Sequence, residues 1–129
     1  MSKNMGPEAL RILIVDDSEI SRRITGTILR SRHWTVCGEA ENGKDGVEKF
    51  QELKPDIVLL DLSMPDMTGI EAAQQMSAAD HTIPLILFTV LEVGGIGVAA
   101  HQAGIQAIIP KSEAWSLIGS IEHLTGRQI

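Results

Sequence analysis

The chain is short of several things, and each shortage closes off a class of function. Its 129 residues include one cysteine, Cys37. A single thiol makes no internal disulfide and no cysteine-based zinc site, and it fits a reducing compartment. Four histidines are scattered along the chain without metal-ligand spacing. There is no tyrosine, and two phenylalanines and two tryptophans leave little to stack on a flavin. Positive charge is in deficit: 11 Lys and Arg against 17 Asp and Glu give a formal net charge of -6. Nucleic-acid binding needs a basic patch, so no direct contact with DNA or RNA is expected. No apolar run approaches the ~18 residues of a membrane span. The polar segment 1–8 lacks the apolar centre of a signal peptide. The expected setting is the cytoplasm, away from membranes.

What remains is ordinary globular material, 43% hydrophobic and 22% charged, in a length that suits one domain. That domain is expected over residues 9–125, with a flexible tail at 1–8 and a C-terminal tail, or the start of a linker, at 126–129. The chain as given ends just after the last expected helix. It suits either a stand-alone domain or a fragment cut at a linker.

The most informative stretch is Ile57-Val58-Leu59-Leu60-Asp61, four apolar residues running into a carboxylate and then into the turn-rich Leu62 to Gly69. A short apolar run bounded by turn signals reads as a strand buried on both faces. A charge at its end is costly unless it is paired or binds a metal. Leu10–Val15 forms a similar strand ending in Asp16 and Asp17, followed by Ser18 as the N-cap of a helix. That helix carries Ile20, Ile24 and Ile28 as its apolar stripe, with Arg22, Arg23 and Arg30 on the other side. Trp34–Ala40 is a weaker strand. Asn42-Gly43 turns into a short helix on Val47 and Phe50, which Pro55 stops. A helix from about Thr68 to Ala78 follows the Asp61 strand. Pro84–Thr89 is a fourth strand, ending in a hydroxyl. Gly94, Gly95, Gly97 and Gly104 make any fourth helix short or mobile. Gln106–Ile109 is a fifth strand, followed by Pro110 and Lys111. A last helix, capped by Ser112, has Ala114, Leu117, Ile118, Ile121 and Leu124 on one face.

Strand and helix alternate five times. The expected fold is α/β: a doubly wound, five-stranded parallel sheet with five helices in three layers. Ligands of such sheets bind beyond the carboxyl ends of the strands, at a switch point in strand order. If the order is the flavodoxin-like 2-1-3-4-5, taken by analogy, Asp16, Asp17 and Asp61 meet there with Thr89 and Lys111 nearby. Two carboxylates ~5 Å apart repel by about 3 kcal/mol at an effective dielectric of ~20. The cluster therefore asks for a cation. Oxygen-only donors suit Mg²⁺, with Mn²⁺ as the alternative. A metal, a hydroxyl and an ammonium together complement a phosphoryl group, and a carboxylate nucleophile gives an aspartyl phosphate.

These pieces resemble the receiver domain of two-component response regulators. The matching stretches are Ile14-Val15-Asp16-Asp17-Ser18, Leu59 to Pro65, Gly69, Phe88-Thr89, Ala103-Gly104 and Lys111. The resemblance covers about residues 9 to 125. It implies that Asp61 accepts a phosphoryl group from a sensor histidine kinase or a histidine phosphotransfer protein. It implies Mg²⁺ held by Asp17, Asp61 and the Ser63 backbone carbonyl, with Asp16 acting mainly through water. Thr89 would bond a phosphoryl oxygen and Lys111 would pair with its charge. The domain is then a regulatory phosphoacceptor with self-catalysed phosphorylation and slow autodephosphorylation, not an enzyme on a separate substrate. Its output is a downstream protein target or a missing output domain. A dimer through the helix 4–strand 5–helix 5 face is a further implication. Ile108, Trp115, Arg22 and Arg23 are the candidate switch and partner residues.

The sequence departs from the family pattern at Ile108, where an aromatic residue is usual, and at Val90, where a small one is common. Pro110 precedes the lysine instead of following it. Three other readings stay open. One is a receiver that binds partners independently of phosphorylation, to which Ile108 and Val90 give weight. One is a small phosphohydrolase working through an aspartyl phosphate. The third is a flavin or nucleotide module on the same fold.

Overall fold

The computed structural model describes residues 9–90 and 95–127. The expected tail at 1–8, the last two residues of 126–129, and Gly94 of the glycine-rich stretch lie outside the described residues.

The elements alternate as β1 (Arg11–Val15), α1 (Glu19–Arg30), β2 (Thr35–Ala40), α2 (Gly43–Leu53), β3 (Ile57–Leu60), α3 (Gly69–Ala79), β4 (Leu85–Thr89), α4 (Gly97–Gln102), β5 (Ile105–Pro110) and α5 (Leu117–Thr125). The strands are parallel, in the order β2-β1-β3-β4-β5. This is the expected architecture, and the order places β3 at the centre.

Every side chain of β3 is buried, because helices cover both faces of the sheet. Val58 and Leu60 join Val47, Phe50, Ala72, Ala73 and Met76 on the α2–α3 side. Ile57 and Leu59 join Leu29, Leu117 and Ile121 on the α1–α5 side. Burial of each large aliphatic side chain contributes roughly 1.5–3 kcal/mol. This two-sided core holds the strand end fixed where Asp61 leaves the sheet. The loop behind Asp61 is held as firmly. Thr68 and Glu71 form a capping box at the start of α3. The Asp66 carboxylate accepts from the N–H groups of Gly43 and Lys44, both at 2.8 Å, and ties the loop to the start of α2.

The structure corrects two expectations. The isoleucine stripe of α1 does not face the core: Ile20 and Ile24 are 69% and 58% exposed. Thr25, Gly26 and Leu29 are the buried residues of that helix. Gly26 is covered by the Arg30 guanidinium of its own helix, and the buried face of α1 is the less apolar one. Nor does Ser112 cap α5. Lys111–Ser116 is a 3-10 turn broken at Glu113, and α5 begins at Leu117 without a side-chain cap. β5 continues through Pro110, whose missing N–H is tolerated on an edge strand. The chain then needs the extra turn before a helix can start. The fourth helix is short, as its glycines lead one to expect.

Gly69 closes the loop by donating its N–H to the Leu62 carbonyl at 2.7 Å. A β-carbon there would collide with the Asp61 carbonyl oxygen, which is backbone and cannot yield cheaply. Gly69→Ala should therefore cost about 1–3 kcal/mol, the range for overpacking a filled site, read as a lower urea midpoint. An unchanged midpoint would show that the loop behind Asp61 can shift freely.

Candidate functional site

Strand register builds the site. Val15 of β1 pairs with Leu60 of β3, and Thr89 of β4 pairs with Pro110 of β5. The Asp61 N–H donates to the Val15 carbonyl at 2.8 Å, and the Asp16 N–H donates to the Ala40 carbonyl at 2.9 Å. Each strand thus delivers its next residue to the same rim. Asp16 and Asp61 are buried there, while Asp17 is exposed. One carboxylate oxygen from each of the three lies within 4.8 Å of the others. An open cavity lined by Asp17, Asp61, Ser63, Thr89, Val90 and Lys111 sits above them.

The bonds at this rim are uneven. Asp16 Oδ1 accepts from the Ser18 N–H at 2.9 Å. Asp16 Oδ2 accepts from the Ser21 hydroxyl at 2.8 Å and from Lys111 Nζ at 2.5 Å. Lys111 Nζ also donates to Ser21 Oγ at 2.6 Å and lies 6.0 Å from the centre of the Phe88 ring. Its distance to Asp61 Oδ2 is 4.0 Å. Asp61 Oδ1 accepts from the Leu62 N–H at 2.9 Å. Thr89 is fully buried, and its side chain hydrogen-bonds the Asp61 carboxylate. Burial pushes the Asp61 carboxyl above the usual carboxylate range, and the Asp16 charge adds to it. The Thr89 hydrogen bond, Lys111 and the Leu62 N–H pull the other way without cancelling the rise. The donor set, three carboxylates without His or Cys, fits a hard divalent cation such as Mg²⁺.

Comparison with known proteins decides the family. Residues 12–121 match the response regulator receiver domain. The chain belongs to the receiver domain family. Chemotaxis protein CheY of Thermotoga maritima is 38% identical over 101 residues, 78% of this chain and 84% of that protein. The solved response regulator domain of Thermotoga maritima CheB superposes with a TM-score of 0.85 at 29% identity, over 95% of this chain and 100% of that one. The response regulator TrrA of Thermotoga maritima, solved in complex with Mg(2+)-BeF, gives a TM-score of 0.82 at 26% identity, over 89% of this chain and 98% of that one.

In this receiver domain the five residues singled out at the strand ends, Asp16, Asp17, Asp61, Thr89 and Lys111, lie at one rim, with Ser63 two residues beyond Asp61. The other candidates lie elsewhere. Ile108 is half-buried against the α2–α3 side of the core. Trp115 is 81% exposed and flanks a groove with Gln106, Ala107 and Gly119 along the edge of β5. Val90 is exposed on the cavity wall. Arg23 is exposed and pairs with Glu19. Arg22 is only 13% exposed: its side chain donates to the Asp16 carbonyl at 2.5 Å and to Glu39 at 3.0 Å. It braces β1 and β2 from within. Sequence reasoning missed that role, and it missed Ser21. The available signal was spacing, since Ser21 lies one helical turn beyond Asp17 and faces back toward the strand ends.

The raised Asp61 carboxyl sets a pH dependence. The folded state takes up this proton at a higher pH than the unfolded chain does, so the ionised group weighs against folding above that point. Stability contributed by this site therefore rises as pH falls through the folded value. Without divalent metal, Asp61→Asn should be more stable than wild type near pH ~7, and the gap should narrow toward pH ~5. Urea midpoints of the two proteins across that range check it. A gap that widens on acidification contradicts the assigned shift.

Proposed function

We propose that this receiver domain is a phosphoacceptor switch that takes a phosphoryl group onto Asp61 from a phosphohistidine. The donor is a sensor histidine kinase or a histidine phosphotransfer protein. The observation that carries the reading is the meeting of Asp61 with Asp16, Asp17, Thr89 and Lys111 at one rim. The donor's P–N bond breaks as an Asp61 Oδ–P bond forms, so Asp61 must attack as a carboxylate. Thr89 donates to a phosphoryl oxygen, and Lys111 neutralises the charge that arrives with it. Asp16, Asp17, Asp61 and the Ser63 carbonyl are the residues that would hold Mg²⁺, or Mn²⁺ in its place, and the ion when bound shields the phosphoryl oxygens. Autophosphorylation from small phosphodonors and slow autodephosphorylation follow from the same residues. Such a protein regulates; it does not turn over a separate substrate.

The output runs through protein contact. Trp115 with the groove beside it, Ile108 and Arg23 are the candidate switch and partner residues, on separate parts of the surface, and a dimer would use the α4–β5–α5 face. Arg22 drops out of this set because its internal bonds occupy it. The target is a separate protein or an output domain on a longer chain, and the setting is cytoplasmic. A second reading rests on Ile108: a half-buried aliphatic side chain has no hydroxyl or ring to turn inward, which favours partner binding that ignores phosphorylation. Partner affinity unchanged by phosphorylation would select it.

Incubation with acetyl phosphate and Mg²⁺ should add the mass of one phosphoryl group to the wild type, and Asp61→Asn should lose that gain. Absence of the gain in the wild type, or its survival in the variant, overturns the reading. In melting experiments, millimolar Mg²⁺ should raise the wild-type melting temperature by relieving carboxylate repulsion. Asp17→Asn should abolish the rise, and coincident wild-type melts with and without metal would remove the metal from the account.

A further inference from the structure

One hydroxyl at the rim has no part in the chemistry proposed above. Ser21 sits in the first turn of α1, where its N–H donates to the Ser18 cap at 3.2 Å and fixes its place from the backbone up. Its Oγ donates to Asp16 Oδ2 at 2.8 Å and accepts from Lys111 Nζ at 2.6 Å. Lys111 itself donates to Asp16 Oδ2 at 2.5 Å, so the three groups close a ring of hydrogen bonds. Side-chain exposure in that ring is 16% for Lys111 and 5% for Asp16, so water competes weakly for these bonds. The same ammonium stands 4.0 Å from Asp61 Oδ2, beyond hydrogen-bonding reach. Two of the three N–H donors of Lys111 are spent on this ring, so more than one bond to a phosphoryl group on the other side requires giving up part of it.

We infer that Ser21 is a positioning residue that holds the Lys111 ammonium on Asp16, away from Asp61, and so opposes phosphoryl transfer until the lysine is released. The inference rests on the phosphoacceptor reading. Ser21 bonds neither Asp17 nor Asp61, and of the carboxylates that would hold the metal it bonds Asp16 alone. It acts through Lys111. Removing its hydroxyl leaves the ammonium with Asp16 alone and makes the move toward Asp61 easier. A threonine keeps the hydroxyl and should keep the resting position.

The test compares wild type, Ser21→Ala and Ser21→Thr, each at a Mg²⁺ concentration that saturates that protein in its own titration. Phosphorylation by acetyl phosphate should be faster in Ser21→Ala by roughly fivefold, the ratio that one net hydrogen bond confers, while Ser21→Thr stays close to wild type. The second readout is the nitrogen resonance of the Lys111 ammonium in the metal-free proteins. Its hydrogens should exchange slowly in wild type and Ser21→Thr and rapidly in Ser21→Ala. A merely structural serine would change the melting temperature without this pattern. Equal or slower phosphorylation of Ser21→Ala, or an unchanged Lys111 resonance, overturns the inference and leaves the phosphoacceptor reading standing. A wild type that takes up no phosphoryl group overturns that reading and the inference with it, a result that no Ser21 variant can imitate.

Discussion

The structure turns on how one ammonium is divided between two of the three carboxylates at one rim. Asp16, Asp17 and Asp61 lie at one rim because β1 and β3 are hydrogen-bonded neighbours whose register leaves no other place for them. Their repulsion is imposed by the sheet, and the buried side chains on both faces hold the strands against it. Lys111 reaches this rim from the end of β5 and binds Asp16 at 2.5 Å, while Asp61 is left at 4.0 Å. That asymmetry leaves burial, the largest cause, and the Asp16 charge to raise the Asp61 carboxyl against the weaker pull of Lys111. A buried carboxylate with its own close ammonium would be pushed down, and this one is pushed up by burial and by the Asp16 charge.

Much of this was legible because the features that position the site are local. Val15-Asp16 and Leu60-Asp61 each show a buried apolar run that stops at a charge, and the pattern needs no tertiary knowledge. Thr89 and Lys111 were readable for the same reason: each closes, or directly follows, a short apolar strand. The strand order was not legible. It came by analogy, since nothing in the spacing of five apolar runs says which two are neighbours. The order β2-β1-β3-β4-β5 makes Asp16 and Asp61 adjacent, so the site depended on the one step the residues could not supply.

The misreadings share a physical cause. A helix stripe of Ile20, Ile24 and Ile28 is the apolar face by count, yet α1 packs on Thr25, Gly26 and Leu29. The apolar count of a face did not decide which face packed: Ile20 and Ile24 were left exposed and Ile28 half-buried. Arg22 looked like part of a solvated face and is instead bonded to Glu39 and to the Asp16 carbonyl. Ser112 looked like a helix cap. Pro110 kept the strand going, and the chain spent six residues in a 3-10 turn before α5 began. In each case the sequence pattern was real, and tertiary geometry chose a different use for it.

Charge explains why Lys111 can act as a movable counter-ion under the proposed function. Asp16, Asp17, Asp61 and Lys111 together leave two negative charges, which one divalent cation offsets. A phosphoryl group on Asp61 replaces one carboxylate charge by nearly two and gives the oxygens more acceptor sites. The balance then tips toward Asp61, where the added charge lies, and away from Asp16, whose charge is unchanged. Only the difference between the two positions moves the equilibrium. The Ser21 hydroxyl lies on the Asp16 side of that difference, and Thr89 lies on the Asp61 side at the end of β4. A lysine held by a serine on one carboxylate and drawn by a phosphoryl group toward another has two definite positions. A switch needs that much at the site itself before any change reaches the α4–β5–α5 face.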